Sequence, residues 1–433
     1  MTGKTIYAGF IDAYSHYGMP EGLKTFQPGG GGPNGPPRKM TPTPTPLGAS
    51  SWNPLVTPER DASDYFNPNE KAAETFNDAG FTTVATYPAR GLFRGQGLIV
   101  HTDGKPIHES TVKTSVAQHI AFDRWNQSQT ARPNDGAVYP ASLMGSIALF
   151  RQTLYDAQWY EKAQAAYQDN PTKTEKPAEN QALSALQSLT SQSQWALFKT
   201  YDELGYQRVE KVAEEFDLNY AILGNGYEYR RTDILKKLGK TIILPLSFPK
   251  TPHVERPDKS LGVSLEQLQH WELAPSNAAF LETADVPFCF TTHFNSGPGN
   301  SSWKAIRETV KRGLSEKAAL AALTTNPAEL YELDKKLGTI EPGKLANLTV
   351  ATGNLFSDEK AVVSELWIQG EYIEKKPAKR LDLSGSWEFS WTGISGFVSA
   401  EIKGDENKFS LKIGKATLPV SIQGRELLFF VSP

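Results

Sequence analysis

The feature that most restricts this chain is a recurrence of short, almost wholly apolar runs that end in polar residues, separated by longer segments with helical spacing. The runs are Tyr7–Asp12, Phe81–Tyr87, Leu98–His101, Val116–Phe122, Trp195–Thr200, Tyr220–Asn225, Thr241–Leu246 and Phe288–His293. A short strand that is apolar along its whole length fits burial on both faces, the condition of a parallel sheet covered by helices. The intervening segments Asn69–Ala79, Pro140–Tyr167, Gln181–Ser191, Tyr206–Phe216 and Trp303–Gly313 read as helices. Strand and helix in alternation predict βαβ units. About eight such units predict an α/β fold, a TIM-type (β/α)8 barrel over residues 1–345. The strands between residues 97 and 122 can be numbered in two ways.

Residues 27–58 interrupt the pattern with Gly29–Gly32, Pro36-Pro37 and Thr-Pro repeats, too little apolar surface for a core of their own. Following the first strand, this stretch falls in a loop on the face where barrel active sites lie, and reads either as a lid or as a surface insertion. From Leu345 the period changes to strands alone. Leu348–Ala351, Val362–Ile368 and Tyr372-Ile373 predict a small β-sandwich remnant over 346–376. Lys375–Arg380 reads as a linker. Trp387–Trp391, Phe397–Ile402, Lys408–Ile413, Leu418–Ile422 and Leu427–Val431 then predict an antiparallel meander over 381–433.

A net charge of −3 without charged blocks argues against nucleic-acid partners. No apolar run approaches the ~20 residues of a membrane span. The single cysteine, Cys289, allows no internal disulfide. No signal peptide is visible and both ends read as cut, so the compartment is not legible and a longer parent chain is expected.

Two stretches carry a family resemblance. Gly9-Phe10-Ile11-Asp12-Ala13-Tyr14-Ser15-His16 resembles the first-strand motif of the amidohydrolase superfamily, where Gly-Phe-Ile-Asp precedes a His-x-His pair. Two histidines at i and i+2 of a strand share one side and converge on a divalent metal, which activates water. Residues 313–350 resemble the end of the superfamily's barrel, including Leu337-Gly338-Thr339-Ile340-Glu341-Pro342-Gly343 and Ala346-Asn347-Leu348, where the family has Ala-Asp-Leu. Within this string Ser315 and Asn326 read as helix caps, with Pro327 at a first helical position.

The resemblance implies a metal-dependent hydrolase of C–N bonds other than peptide bonds, with metal-binding His on the fifth and sixth strands and a ligand and base Asp on the eighth. This chain departs from that set. Tyr14 replaces the first His of the pair, leaving His16; Lys199 stands at the fifth strand, Asn225 near the sixth, and His293 (or Thr292) at the eighth. A protonated lysine has no acceptor and would repel a cation unless neutral or carboxylated. A carboxylated lysine bridges two metals from the fourth strand in some family members, a role open to Lys199 only if the strand numbering shifts by one. An asparagine oxygen is a poor substitute for imidazole. His16 and His293 make two nitrogen ligands, short of the three of a catalytic zinc, so the expectation is no cofactor or a single divalent metal. Of the other histidines, 101, 108, 119, 253 and 270, only His119 lies on an expected strand.

Two further clusters belong to strand ends: Asp202 as a general acid or base, or a helix cap, and Glu228 in Tyr227–Arg231 as a polar-ligand group, or part of a solvated loop. Two functions remain open. One is an atypical amidohydrolase using His16, Lys199 and His293, with Tyr14, Asn225, Asp202 and Glu228 in binding roles. The other, favoured by the replacements, is a pseudoenzyme barrel that binds a small-molecule ligand or supports a second, catalytic amidohydrolase domain of a longer chain.

Overall fold

A computed structural model of the protein describes residues 3–24, 49–68, 70–122, 139–252, 254, 260–293 and 300–374, and the strand residues 385–389, 398–405, 408–413, 416–423 and 426–428. Residues 1–375 form one compact unit and 376–433 a second.

In chain order the strands of the first unit begin with β1 (Thr5–Ala8), β2 (Phe10–Ser15), β3 (Phe81–Thr86), β4 (Phe93–Gln96), β5 (Leu98–His101), β6 (Thr111–Lys113) and β7 (Ala117–Ala121). They continue with β8 (Trp195–Lys199), β9 (Tyr220–Leu223), β10 (Ile242–Pro245), β11 (Phe288–Thr291), β12 (Leu348–Ala351), β13 (Val363–Ile368) and β14 (Glu371–Glu374). Three sheets result, ordered β2-β3-β5-β6, β11-β10-β9-β8-β7-β4 and β1-β12-β13-β14. The pairs β2–β3, β7–β8, β8–β9, β9–β10 and β10–β11 are parallel, as the apolar runs require.

Two expectations are corrected. The run read as one strand, Tyr7–Asp12, is two strands in different sheets, broken at Gly9. A Cβ at Gly9 would lie 2.3 Å from Oγ1 of Thr82, so only glycine lets the chain change sheets there. Leu98–His101 runs antiparallel to β3, and β4 runs antiparallel to β7, so neither is a βα unit. A parallel return needs a crossover of about a dozen or more residues, and the short connection from β3 to β5 is occupied by β4.

The sheets β2-β3-β5-β6 and β11-β10-β9-β8-β7-β4 meet at both ends. Gly97, between β4 and β5, exchanges backbone bonds with Ala117 and Val116. At the other end Thr291 donates its hydroxyl to Tyr14 O at 2.5 Å, and the Thr292 N–H donates to an Asp12 carboxylate oxygen at 3.1 Å. The strand ends of β2 and β11 are thereby held side by side.

The helix Leu143–Asp169 shows how the outer layer is fixed. Ser142 accepts the Gly145 N–H at its start, and Leu149, Phe150, Thr153, Leu154, Ala157 and Tyr160 form one buried stripe. Phe150 stacks on Phe93 with ring centres 5.4 Å apart and meets Phe122 edge-on. Each such ring contributes about 1.5–3 kcal/mol by burial. Ser315 caps as expected, accepting from Ala318 N–H. Asn326 does not: it lies inside the helix Thr325–Leu330 and donates its amide to Phe288 O on β11 at 2.7 Å. The helix expected over 181–191 is two short ones, Gln181–Ala185 and Gln187–Thr190.

The second unit is an antiparallel meander of β15 (Gly385–Phe389), β16 (Val398–Asp405), β17 (Lys408–Ile413), β18 (Ala416–Gln423) and β19 (Glu426–Leu428), each paired with the next. The 375–380 linker and residues 27–48 of the Pro/Gly-rich stretch lie outside the described residues. The last residues of that stretch bridge to β4 through Val56 and Phe93. Among the described residues no helix is long and apolar enough to cross a membrane.

Candidate functional site

The carboxyl ends of the parallel strands bring together residues far apart in the chain. Tyr14 and His16 come from the end of β2, His119 from β7, Lys199 from the end of β8 and His293 from just beyond β11. Tyr14 is wholly buried and is the hub: its ring lies 5.2 Å from His16, 5.4 Å from His119 and 5.2 Å from His293, each edge to face, and stacks on Tyr87 at 5.5 Å. His16 and His293 are closer still, with ring centres 4.1 Å apart.

The hydrogen bonds fix the protonation of two of these rings. His16 donates Nδ1–H to Tyr87 O at 2.9 Å, and His119 donates Nδ1–H to Pro88 O at 2.7 Å, because a carbonyl can only accept. His119 Nε2 then accepts from the Arg94 guanidinium at 3.2 Å. Burial pushes the pKa of all three histidines down. His16 is further lowered by His293, His119 by Arg94, and His293 falls to about 4 beside Lys199. The cluster is therefore neutral imidazole with cations beside it. Arg94, fully buried on β4, also donates to Gly91 O and to the Tyr201 hydroxyl.

Outward from this cluster lies a cavity of about 580 Å³, lined by Lys199, Tyr201, Asn225, Tyr227, Phe248 and His270 among others. Lys199 Nζ sits 5.1 Å from the Tyr201 ring centre. Tyr227 and His270 stack at 3.8 Å, and the Arg230 guanidinium lies 4.7 Å from the Tyr227 ring centre.

Two residues expected in binding roles stand elsewhere. Glu228 is wholly buried; it accepts the N–H groups of Asn225 and Gly226, the Tyr206 hydroxyl and the Asn277 amide. It shapes the loop after β9 and does not face the cavity. A Cβ on Gly224 would lie 2.3 Å from its Oε1, so glycine is required at that strand end. Asp202 is exposed and grips Arg208 of the next helix with both oxygens, without capping it. Sequence reasoning misses Arg94 and Tyr87. Of these, only Arg94 leaves a signal, a charge inside the otherwise apolar stretch Leu92-Phe93-Arg94.

Among the described residues, the donors around Tyr14 are arranged differently from those of a tetrahedral metal site. Two imidazoles on one tetrahedral ion at ligand distances of ~2 Å hold their ring centres about 5 Å apart. His16 and His293 are in direct edge contact at 4.1 Å. His119 Nε2 faces a guanidinium, and Lys199 and Tyr14 stand beside His16. Among the described residues no group of three or more His, Cys, Asp or Glu side chains is arranged to hold a metal ion.

Comparison with known proteins gives a consistent scaffold. Residues 279–373 match the family model described as the amidohydrolase family. An amidohydrolase from Thermotoga maritima MSB8 is similar in structure, with a TM-score of 0.66 at 22% identity over 86% of this chain and 88% of that one. A Xaa-Pro dipeptidase with bound methionine in its active site aligns over 86% of this chain and 87% of that one, at 15% identity and a TM-score of 0.47, too low to bear on function. No curated protein matches the chain by sequence. The T. maritima relative and the family match imply a TIM-barrel-type fold accompanied by a β-rich part. The match to the amidohydrolase family thus rests on the segment that carries β11 to β14, and the fold likeness extends over most of the chain.

Proposed function

We propose that this chain is a pseudoenzyme member of the amidohydrolase superfamily, a barrel that binds a small molecule at the carboxyl ends of its strands without a catalytic divalent metal. The observation that carries this reading is the exchange of charge where metal ligands belong. Lys199 and Arg94 flank three histidines whose neutral state the surroundings enforce. A dication is favoured by donors with free lone pairs and no cation close by; the described cluster has Arg94 on His119 and Lys199 beside His293. The family implies hydrolysis of C–N bonds, and the scaffold for it is retained.

Elemental analysis of the purified chain, paired with a screen of amide and cyclic-amide substrates, tests the proposal. The expected result is far less than one divalent metal per chain and no hydrolysis that His16→Ala abolishes. One zinc or other divalent ion per chain, lost in His16→Ala, would overturn it.

A second reading has its own observation. His16 and His293, neutral and in contact beside Lys199, could act as a general base without a metal. Hydrolysis of a C–N substrate that is insensitive to chelators, and lost in both His16→Ala and His293→Ala, would establish this hydrolase in place of the pseudoenzyme.

A further inference from the structure

We propose that the cavity over β8 and β9 takes a small aromatic carboxylate, its anionic end toward Lys199 and Asn225 and its apolar body among Phe248 and the stacked pair Tyr227 and His270. This rests on the reading of the site as a metal-independent binding pocket.

The first support is the polarity of the lining. The side chain of Asn225 is held in one orientation, because its Oδ1 accepts the Tyr227 N–H at 2.9 Å and an amide nitrogen there would face that donor. Its Nδ2 is consequently fixed as the group left over, and that nitrogen is buried without a hydrogen-bond partner. Buried donors without acceptors are rare in folded proteins, and one placed on a cavity wall calls for an acceptor from a ligand. The ammonium of Lys199, on the same wall, carries three donors and no acceptor. A carboxylate, negative and acceptor only, complements the positive charge of Lys199 and the amide nitrogen of Asn225.

Charge is the second support. Among the described residues that line the cavity, Lys199 carries the single full charge of a lysine, arginine or carboxylate, and no Asp or Glu contributes. Arg94, one residue further in, adds a second positive charge through its bond to the Tyr201 hydroxyl. A cationic ligand would be repelled by Lys199, and a neutral amide would forgo the attraction that a carboxylate gains from that charge.

Shape is the third. Tyr227 and His270 are stacked on each other at 3.8 Å, tilted by 14°, and line the cavity as one aromatic pair. Phe248 lies on the same lining. A volume of about 580 Å³ falls in the range of small-molecule pockets and exceeds the need of an inorganic ion. An apolar, aromatic body with one anionic end fits all three features.

The test compares three molecules of one shape and different charge: benzoate, benzamide and benzylamine, titrated calorimetrically into the full chain at pH 7.5. Benzoate should bind, benzamide at least about tenfold more weakly, and benzylamine not at all. Lys199→Met should weaken benzoate by about tenfold or more, whereas Lys199→Arg, which keeps the charge, should retain most of the affinity. Asn225→Ala should weaken benzoate without admitting benzylamine. Equal binding of benzoate and benzamide would overturn the proposal, as would absence of benzoate binding at millimolar concentration. The ligand comparison uses the wild-type chain alone, so it decides the question even where a variant misfolds. Metal analysis of the same sample separates the two ideas: benzoate failing on metal-poor protein overturns the ligand class alone, and Lys199-dependent benzoate binding supports it whatever the metal content.

Discussion

The imidazoles of His16 and His293 stand edge to face with ring centres 4.1 Å apart, although 277 residues separate them, Thr291 and Thr292 tying the two strand ends together through Tyr14 O and Asp12. That contact has an electrostatic consequence. Protonating either ring would place a charge against its neighbour and beside Lys199, in a buried site. The pair is stable only as neutral imidazoles.

From this follows a pH dependence of stability with a definite sign. A histidine whose folded pKa is depressed costs nothing above its unfolded pKa of about 6.5 and destabilises the fold as pH falls toward the folded value, because the unfolded chain takes up the proton first. For His293 that window runs from about 6.5 down to about 4. His293→Gln removes the effect. Urea midpoints should show wild type losing up to about 3 kcal/mol relative to His293→Gln between those limits, with no change in the difference above pH 7. A difference that stays constant through the window would contradict the burial argument.

Glu228 should prove more important to folding than to ligand contact. Its oxygens satisfy the Asn225 and Gly226 N–H groups, the Tyr206 hydroxyl and the Asn277 amide. Glu228→Ala strands several buried donors at once and should cost about 3 kcal/mol or more in urea unfolding. Glu228→Gln turns one acceptor into a donor facing another donor, and should cost about 1–3 kcal/mol. Loss of ligand binding with unaltered stability would show that the carboxylate serves the cavity after all.

Much of this organisation is legible in the sequence, and the reasons for the rest are physical. The parallel strands announce themselves because burial on both faces leaves an unbroken apolar run, which is how Lys199, Asn225 and His293 can be placed at strand ends. β4 and β5 lie between them as antiparallel pieces, where length and apolar character alone do not tell direction. Arg94 is hidden for that reason: its place beside His119 depends on the pairing of β4 with β7, which no local pattern encodes. Glu228 is misread for a different one. Tyr-Glu-Tyr-Arg-Arg has the composition of a solvated loop, and only its long-range partner Asn277 reveals a buried carboxylate.

Arg94 should govern the protonation of His119. Burial is the larger cause of that ring's low pKa, and Arg94 the next, both by charge and by the bond it donates to Nε2. Arg94→Met removes the charge and frees the lone pair. A nitrogen-detected NMR titration should find the His119 pKa higher in the variant than in wild type, with Nδ1–H still bound to Pro88 O. An unchanged titration would assign the whole depression to burial.

Asp12 gives the opposite pH sign from the histidines and a sharper test. Burial raises its pKa to about 6, against the lowering effect of the Thr292 hydroxyl and the Tyr14 and Thr292 N–H groups. One backbone N–H points at each oxygen, so Asp12→Asn must turn its amide nitrogen toward a donor, a cost of about 1–3 kcal/mol. At pH 7.5 this is partly offset, because the variant no longer buries a charge. As pH falls from about 6 toward the unfolded value of 3.8, the folded wild type takes up a proton that the unfolded chain does not, and gains stability the asparagine variant lacks. The deficit of Asp12→Asn should therefore widen on acidification, by up to about 1.4 kcal/mol per pH unit within that window. A deficit that narrows instead would mean that the hydrogen bonds outweigh burial and that Asp12 joins the ends of β2 and β11 as a stabilised carboxylate.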